Sequence, residues 1–133
     1  MQTAFALAQK PVFEVLPLVR RGLPAAMFEQ VAATLGLSSV SLAAKLGIAR
    51  RTVTRKRGTG APLSSETSEK LLRVARIRNL GRLLFSTDEA VSDWLTKTDT
   101  ALGNMAPIDL LDTELGAREV ENLLQSLAHG QFA

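Results

Sequence analysis

Ser41-Leu42-Ala43-Ala44-Lys45-Leu46-Gly47-Ile48-Ala49-Arg50-Arg51-Thr52-Val53 is the stretch on which the fold turns. Two short amphipathic runs meet at Gly47, which permits the tight turn that a helix-turn-helix requires between its helices. Ala43 is small enough for the two helices to cross closely. Leu42, Leu46, Ile48 and Val53 then fill the small core that fixes the crossing angle. Arg50, Arg51, Thr52, Thr54, Arg55, Lys56 and Arg57 fall on the outer face of the second helix. That residue mix suits nucleic acid: arginine bonds a guanine edge through two parallel contacts, and threonine meets a thymine methyl or a phosphate. Arg51 and Arg55, four apart on one face, are the candidates for base readout, with Arg50, Lys56 and Arg57 on phosphates.

Helical spacing continues on both sides. Upstream, Gly22 and Pro24 punctuate a helix start, Met27, Phe28, Val31 and Leu35 recur at helical spacing, and Gly36 ends the run. Ser38 or Ser39 caps the first helix of the motif. Residues 1–22 contain Pro11 and Pro17, which argue against a continuous helix and for an arm that packs locally. Downstream, Ser64 or Ser65 opens a longer helix to about Phe85, with Leu71, Val74, Ile77, Gly81 and Leu84 as one apolar stripe. Ser86 and Glu89 stand in capping-box spacing before Ala90, Val91, Trp94 and Leu95, which face inward. A Gly103-Asn104 turn and Pro107 lead into a short turn over 108–111. A last helix from about Glu114 to Ala128 carries Val120, Leu123, Leu124 and Leu127 on one face. No stretch alternates at period two, so the fold class is all-α.

The net charge of +3 conceals a division. Residues 1–82 hold 14 Lys and Arg against 4 acids, a net +10, while residues 83–133 hold 2 against 9, a net −7. A basic half for a polyanion and an acidic half for another partner are the implied roles. Cys is absent and His129 is the single histidine, which excludes disulfides, thiol chemistry and a multi-histidine metal site. No cofactor, metal or catalytic set is expected, and the chain is read as a non-enzyme. The N-terminus lacks a basic segment before its apolar residues, and no run approaches the roughly 18 apolar residues of a membrane span, so a cytoplasmic location is expected.

A family resemblance enters in the acidic half. Asp93-Trp94-Leu95, Thr100-Ala101-Leu102-Gly103, then Ala106-Pro107-Ile108-Asp109-Leu110-Leu111-Asp112-Thr113 and Gly116, resemble the toxin-binding domain of Xre/MbcA/ParS-type antitoxins. The helix-turn-helix precedes it in the family's order, and the resemblance spans about residues 25–130. Asn104-Met105 departs from it where the family often has another glycine. The resemblance implies an antitoxin that sterically inhibits a RES-domain, NAD-degrading toxin, or a related ADP-ribosylating one, and that represses its own operon by binding double-stranded operator DNA.

The expected organisation is an arm over 1–22, the DNA-binding helix-turn-helix over 23–62, a connecting and dimerising helix over 63–86, and a toxin-binding domain over 87–133. Toxin contacts are expected from Asp109, Asp112, Glu114, Arg118, His129, Gln131, Phe132 and Ala133, with the Phe132 tail docking near the toxin's cleft. A homodimer is expected because one short reading head binds weakly and two half-sites lie about 34 Å apart. Leu71, Val74, Ile77 and Leu84 are its surface, assigned by elimination. Arg73, Arg76, Arg78 and Arg82 face either DNA or the acids of the other half, in mixed use, with dimer or intrachain contacts taking more than half of them. Two rivals remain: a stand-alone regulator with an apolar ligand cavity near Trp94, and an enzyme built on Asp109 and Asp112.

Overall fold

A computed structural model of the chain describes residues 2–130, and the side chains of all of these but 55–58. Among the described residues, eight α-helices fold around one of their number: α1 (Ala4–Leu7), α2 (Val12–Arg21), α3 (Ala25–Thr34), α4 (Ser39–Lys45), α5 (Arg50–Thr59), α6 (Ser65–Arg82), α7 (Asp88–Thr96) and α8 (Glu114–Ala128). Single 3-10 turns at Thr100–Leu102 and Pro107–Leu110 join α7 to α8. The described residues form no strand, only an isolated bridge between Asp99 and Met105.

Local chemistry sets the boundaries. Ser38 caps α4 by accepting from Ser41 N at 3.0 Å, and Ser64 caps α6 through Thr67 N at 3.1 Å. The capping box at Ser86 does not form. Thr87, one residue on, is the extended residue whose hydroxyl accepts from Ala90 N at 3.1 Å. The arm is more ordered than its prolines suggest. Pro11 separates α1 from α2, but Pro17 lies inside α2, where the bond it forgoes is to the carbonyl of Phe13, a residue exposed to water.

Helix α6 is the axis of the molecule. Helices α1, α2, α3, α7 and α8 all pack against it. Leu71, Val74, Ala75 and Ile77 are wholly buried, in one continuous core with Phe28, Val31, Leu42, Leu46, Val91, Leu95, Ile108, Leu111 and Val120. This corrects the dimer surface inferred from the sequence. Leu71, Val74 and Ile77 have no accessible area, so they cannot meet a second chain, and Leu84 is half-buried against the same core. Trp94, expected inward, is half-buried, with its ring 5.8 Å from that of Phe85.

Polar contacts close the assembly. Leu23 N donates to the buried Ser68 hydroxyl at 2.8 Å, and Leu63 N donates to Leu23 O at 2.9 Å, so the segments before α3 and before α6 lie side by side. Asn79 Nδ2 donates to Phe5 O at 2.9 Å, and Arg78 lies 4.5 Å over the Phe5 ring. Both contacts hold α1 onto α6.

Candidate functional site

The turn between α4 and α5 is built as the sequence requires. Gly47 has φ +69, Gly47 N donates to Ala44 O at 3.2 Å, and Ile48 N donates to Ala43 O at 2.8 Å. This closes α4 with a left-handed residue followed by an apolar one that folds back on the core. Ala43, Leu42 and Leu46 are fully buried and Val53 nearly so. The inner face of α5 is therefore pinned, and its opposite face looks outward. Arg50, Arg51 and Thr54 are exposed, and Thr52 is half-buried. The Thr54 hydroxyl lies 3.3 Å from Arg50 O and 3.4 Å from Arg51 O, so its donor is taken up by the backbone of α5. The side chains of Arg55, Lys56 and Arg57 lie outside the described set.

The other basic residues have different employment. Arg73 Nε reaches Glu114 at 3.1 Å, and Arg73 Nη1 donates to Leu111 O at 3.0 Å. Arg76 Nη2 lies 3.3 Å from Glu114 and 2.8 Å from Glu121. Arg78 and Arg82 share Asp88, at 2.6 and 2.7 Å. Lys70 Nζ donates to Leu46 O at 2.9 Å, and Lys45 pairs with Asp109 at 3.3 Å. Both alternatives for the α6 arginines are thereby decided: all four bind groups of residues 85–121. The charge division of the sequence is in part an internal seam between the two halves.

The C-terminal half is a compact helical unit. Gly103 and Asn104 both take positive φ, +67 and +63, and turn the chain back so that Asp99 and Met105 bridge. Asparagine tolerates this conformation better than other non-glycine residues, so the departure at Asn104 preserves the turn. Asp99 accepts from Ala101 N at 2.9 Å, and Thr113 caps α8 through Gly116 N at 3.0 Å. Pro107, Ile108 and Leu111 are buried beneath α7 and α8.

Two family models divide the sequence within α6. "Antitoxin Xre-like helix-turn-helix domain" matches residues 14–76, and "Antitoxin Xre/MbcA/ParS C-terminal toxin-binding domain" matches residues 80–130. The Prs ADP-ribosylating antitoxin of a Sphingobium species is 30% identical over 139 residues, which span 96% of this chain and 86% of that protein. The chain belongs to the Xre/MbcA/ParS antitoxin family. Antitoxin Xre of Yersinia enterocolitica is 35% identical over 88 residues, 65% of this chain and 60% of that one. Antitoxin Xre of Photorhabdus laumondii is 27% identical over 116 residues, 85% and 77% of the two chains.

In this antitoxin the expected toxin contacts are not equivalent. Asp109 and Glu114 are engaged within the chain, by Lys45 and by Arg73 and Arg76. Asp112, Arg118 and His129 are exposed. Gln131, Phe132 and Ala133 lie outside the described residues, and the tail-docking expectation with them. The sequence reading missed Leu115, which is 75% exposed at the start of α8. It lies away from the Val120, Leu123 and Leu124 stripe, on the outer face that also carries Arg118, Asn122, Gln125 and His129. An apolar residue so far off the buried face was the available signal. Leu83 at 83% and Met105 at 42% add exposed apolar surface to the same half. Among the described residues no group of acidic or histidine side chains could hold a metal, and no helix is long and apolar enough to cross a membrane.

Proposed function

We propose that this antitoxin sterically inhibits a RES-domain, NAD-degrading toxin through residues 80–130 and represses its own operon through α5, doing no chemistry itself. The observation that carries the DNA half is the division of labour among the arginines. Those of α6 are consumed by acids and carbonyls of the same chain, whereas Arg50 and Arg51 stand exposed at the start of the second helix of the motif. A recognition helix uses that end for base edges and phosphates. Arg51 and Arg55 read bases, and Arg50, Lys56 and Arg57 hold phosphates.

The toxin half is supported by the family match over 80–130 and by the exposed outer face of α8, where Leu115 offers an apolar anchor beside Arg118 and His129. Surface acids such as Asp112 steer a basic rim toward it, which makes association salt-sensitive. The name of the Sphingobium relative points to transfer of ADP-ribose as the other fate of NAD at such a toxin. Both chemistries consume NAD in the cytoplasm.

The test has two arms. Arg51→Ala loses about 1–3 kcal/mol of preference for DNA from upstream of its own gene over scrambled DNA. Arg50→Ala instead weakens both alike and lowers the salt dependence of binding. Wild-type protein that binds the two DNAs equally well defeats the operator reading. In cells, co-expression with the product of the neighbouring gene keeps NAD and growth at control levels; continued NAD loss despite antitoxin excess defeats the toxin reading. For the stand-alone regulator, Trp94 packs on Phe85 and lines neither the groove between α2 and α6 nor the pocket beside Gly47.

A further inference from the structure

With the α6 stripe withdrawn into the core, the apolar surface left on the N-terminal half is on α2. Val12 is 70% exposed and Phe13 87%, the largest value among the exposed large hydrophobics. Helical geometry places Phe13, Leu16, Pro17 and Arg20 on the outer face, with Val12 and Val19 along one edge and Glu14 and Arg21 along the other. Beside this face runs an open groove of about 260 Å³ between α2 and α6, floored by Val12, Leu16, Val19 and Leu72. The face lies outside residues 80–130, which have exposed apolar residues of their own in Leu83, Met105 and Leu115.

We infer that α2 is the dimer surface of this antitoxin, pairing antiparallel with α2 of a second copy across a two-fold axis through Leu16 and Pro17. The occupant follows from self-complementarity. The two-fold sets Phe13 opposite Arg20 of the second copy, an aromatic face against a guanidinium. Antiparallel helices bring like edges together, so Val12 packs on the second copy's Val19, and Glu14 comes within reach of its Arg21. Each contact occurs twice, as an isologous interface demands. A pair of ten-residue helices alone is smaller than the roughly 1,600 Å² of a standard interface, so the groove wall on α6 contributes through Leu72. The inference draws support from the DNA-binding reading, since a dimer supplies two reading heads, but its test uses DNA-free protein.

Sedimentation of the full chain at micromolar concentration is expected to give a dimer. Phe13→Glu weakens it by about tenfold or more, with far-UV circular dichroism unchanged because the side chain lies in water in the isolated chain. Glu14→Arg and Arg21→Glu each weaken the dimer, and the double variant restores it. The chain has no cysteine, so Pro17→Cys supplies a single thiol at the axis and forms a disulfide-linked dimer under mild oxidation, whereas Leu115→Cys does not. A monomeric wild type, a dimer indifferent to Phe13→Glu, or cross-linking at Leu115 in place of Pro17 overturns the inference. So does a Phe13→Glu protein that stays dimeric and loses only its toxin. A dimer that passes every test yet binds no specific DNA upholds this interface and defeats the operator reading alone.

Discussion

Gly116 shows how a single residue ties the two parts of the acidic half together. A Cβ there would overlap the carbonyl oxygen of Leu110, so the first turn of α8 approaches the preceding 3-10 turn along a path only glycine leaves open. Gly116→Ala must push those elements apart and is expected to cost about 1–3 kcal/mol in urea unfolding. A loss below a few tenths of a kcal/mol would mean that the approach is loose. Gly47 poses a different demand. It has space for a side chain but sits at φ +69, and its place between two apolar runs made that turn legible in the sequence. Gly116 was legible only through the family resemblance: Pro107 marks the short turn over 108–111, but no local pattern says how closely α8 approaches the Leu110 oxygen within it. The cap of α7 was off by one residue for a related reason. Ser86 and Thr87 both have the chemistry, and the backbone path into α7, set by packing on α6, chooses Thr87.

At the scale of elements, α6 is the informative case. Its helical period, its N-terminal cap and its buried stripe were all readable, because periodicity records which side of a helix leaves water. What covers that side is not recorded locally, and the stripe was therefore assigned to a second chain when α1, α3, α7 and α8 of the same chain supply its cover. The arginines between the apolar positions carry the same ambiguity, since a guanidinium suits a phosphate and a carboxylate equally. Asp88 tests the resolution. It accepts from Arg78 and Arg82 and opens α7 near its positive end, while Arg78, 12% exposed in its side chain, also covers Phe5. Asp88→Asn is expected to cost about 1 kcal/mol, a fall of about 3 °C in melting temperature, and to cost less in 1 M salt, where the exposed side of the cluster is screened. An unchanged melting temperature at low salt would show that the pairs are geometric only.

Across the whole molecule, the helix-turn-helix and the toxin-binding half share one core rather than a linker. Lys45 meets Asp109, Lys70 caps Leu46 and Arg73 caps Leu111, so a change at either functional surface meets the other through α6. One cooperative unfolding transition follows. Trp94 is the sole tryptophan and reports on the C-terminal half, whereas circular dichroism at 222 nm reports on the helices of both halves. Their denaturation midpoints are expected to coincide, and a separate, earlier change at Trp94 would mean two independent domains. The division into two jobs was visible in the sequence as a charge asymmetry, though part of that asymmetry serves cohesion between the halves.

The most direct measurement is a titration of the purified chain into the purified product of the neighbouring gene, with NAD consumption and complex formation followed together. NAD consumption falling linearly to zero at a fixed molar ratio, with a stable complex at that ratio, is the predicted result. Undiminished NAD consumption at excess chain, with no complex formed, would contradict it.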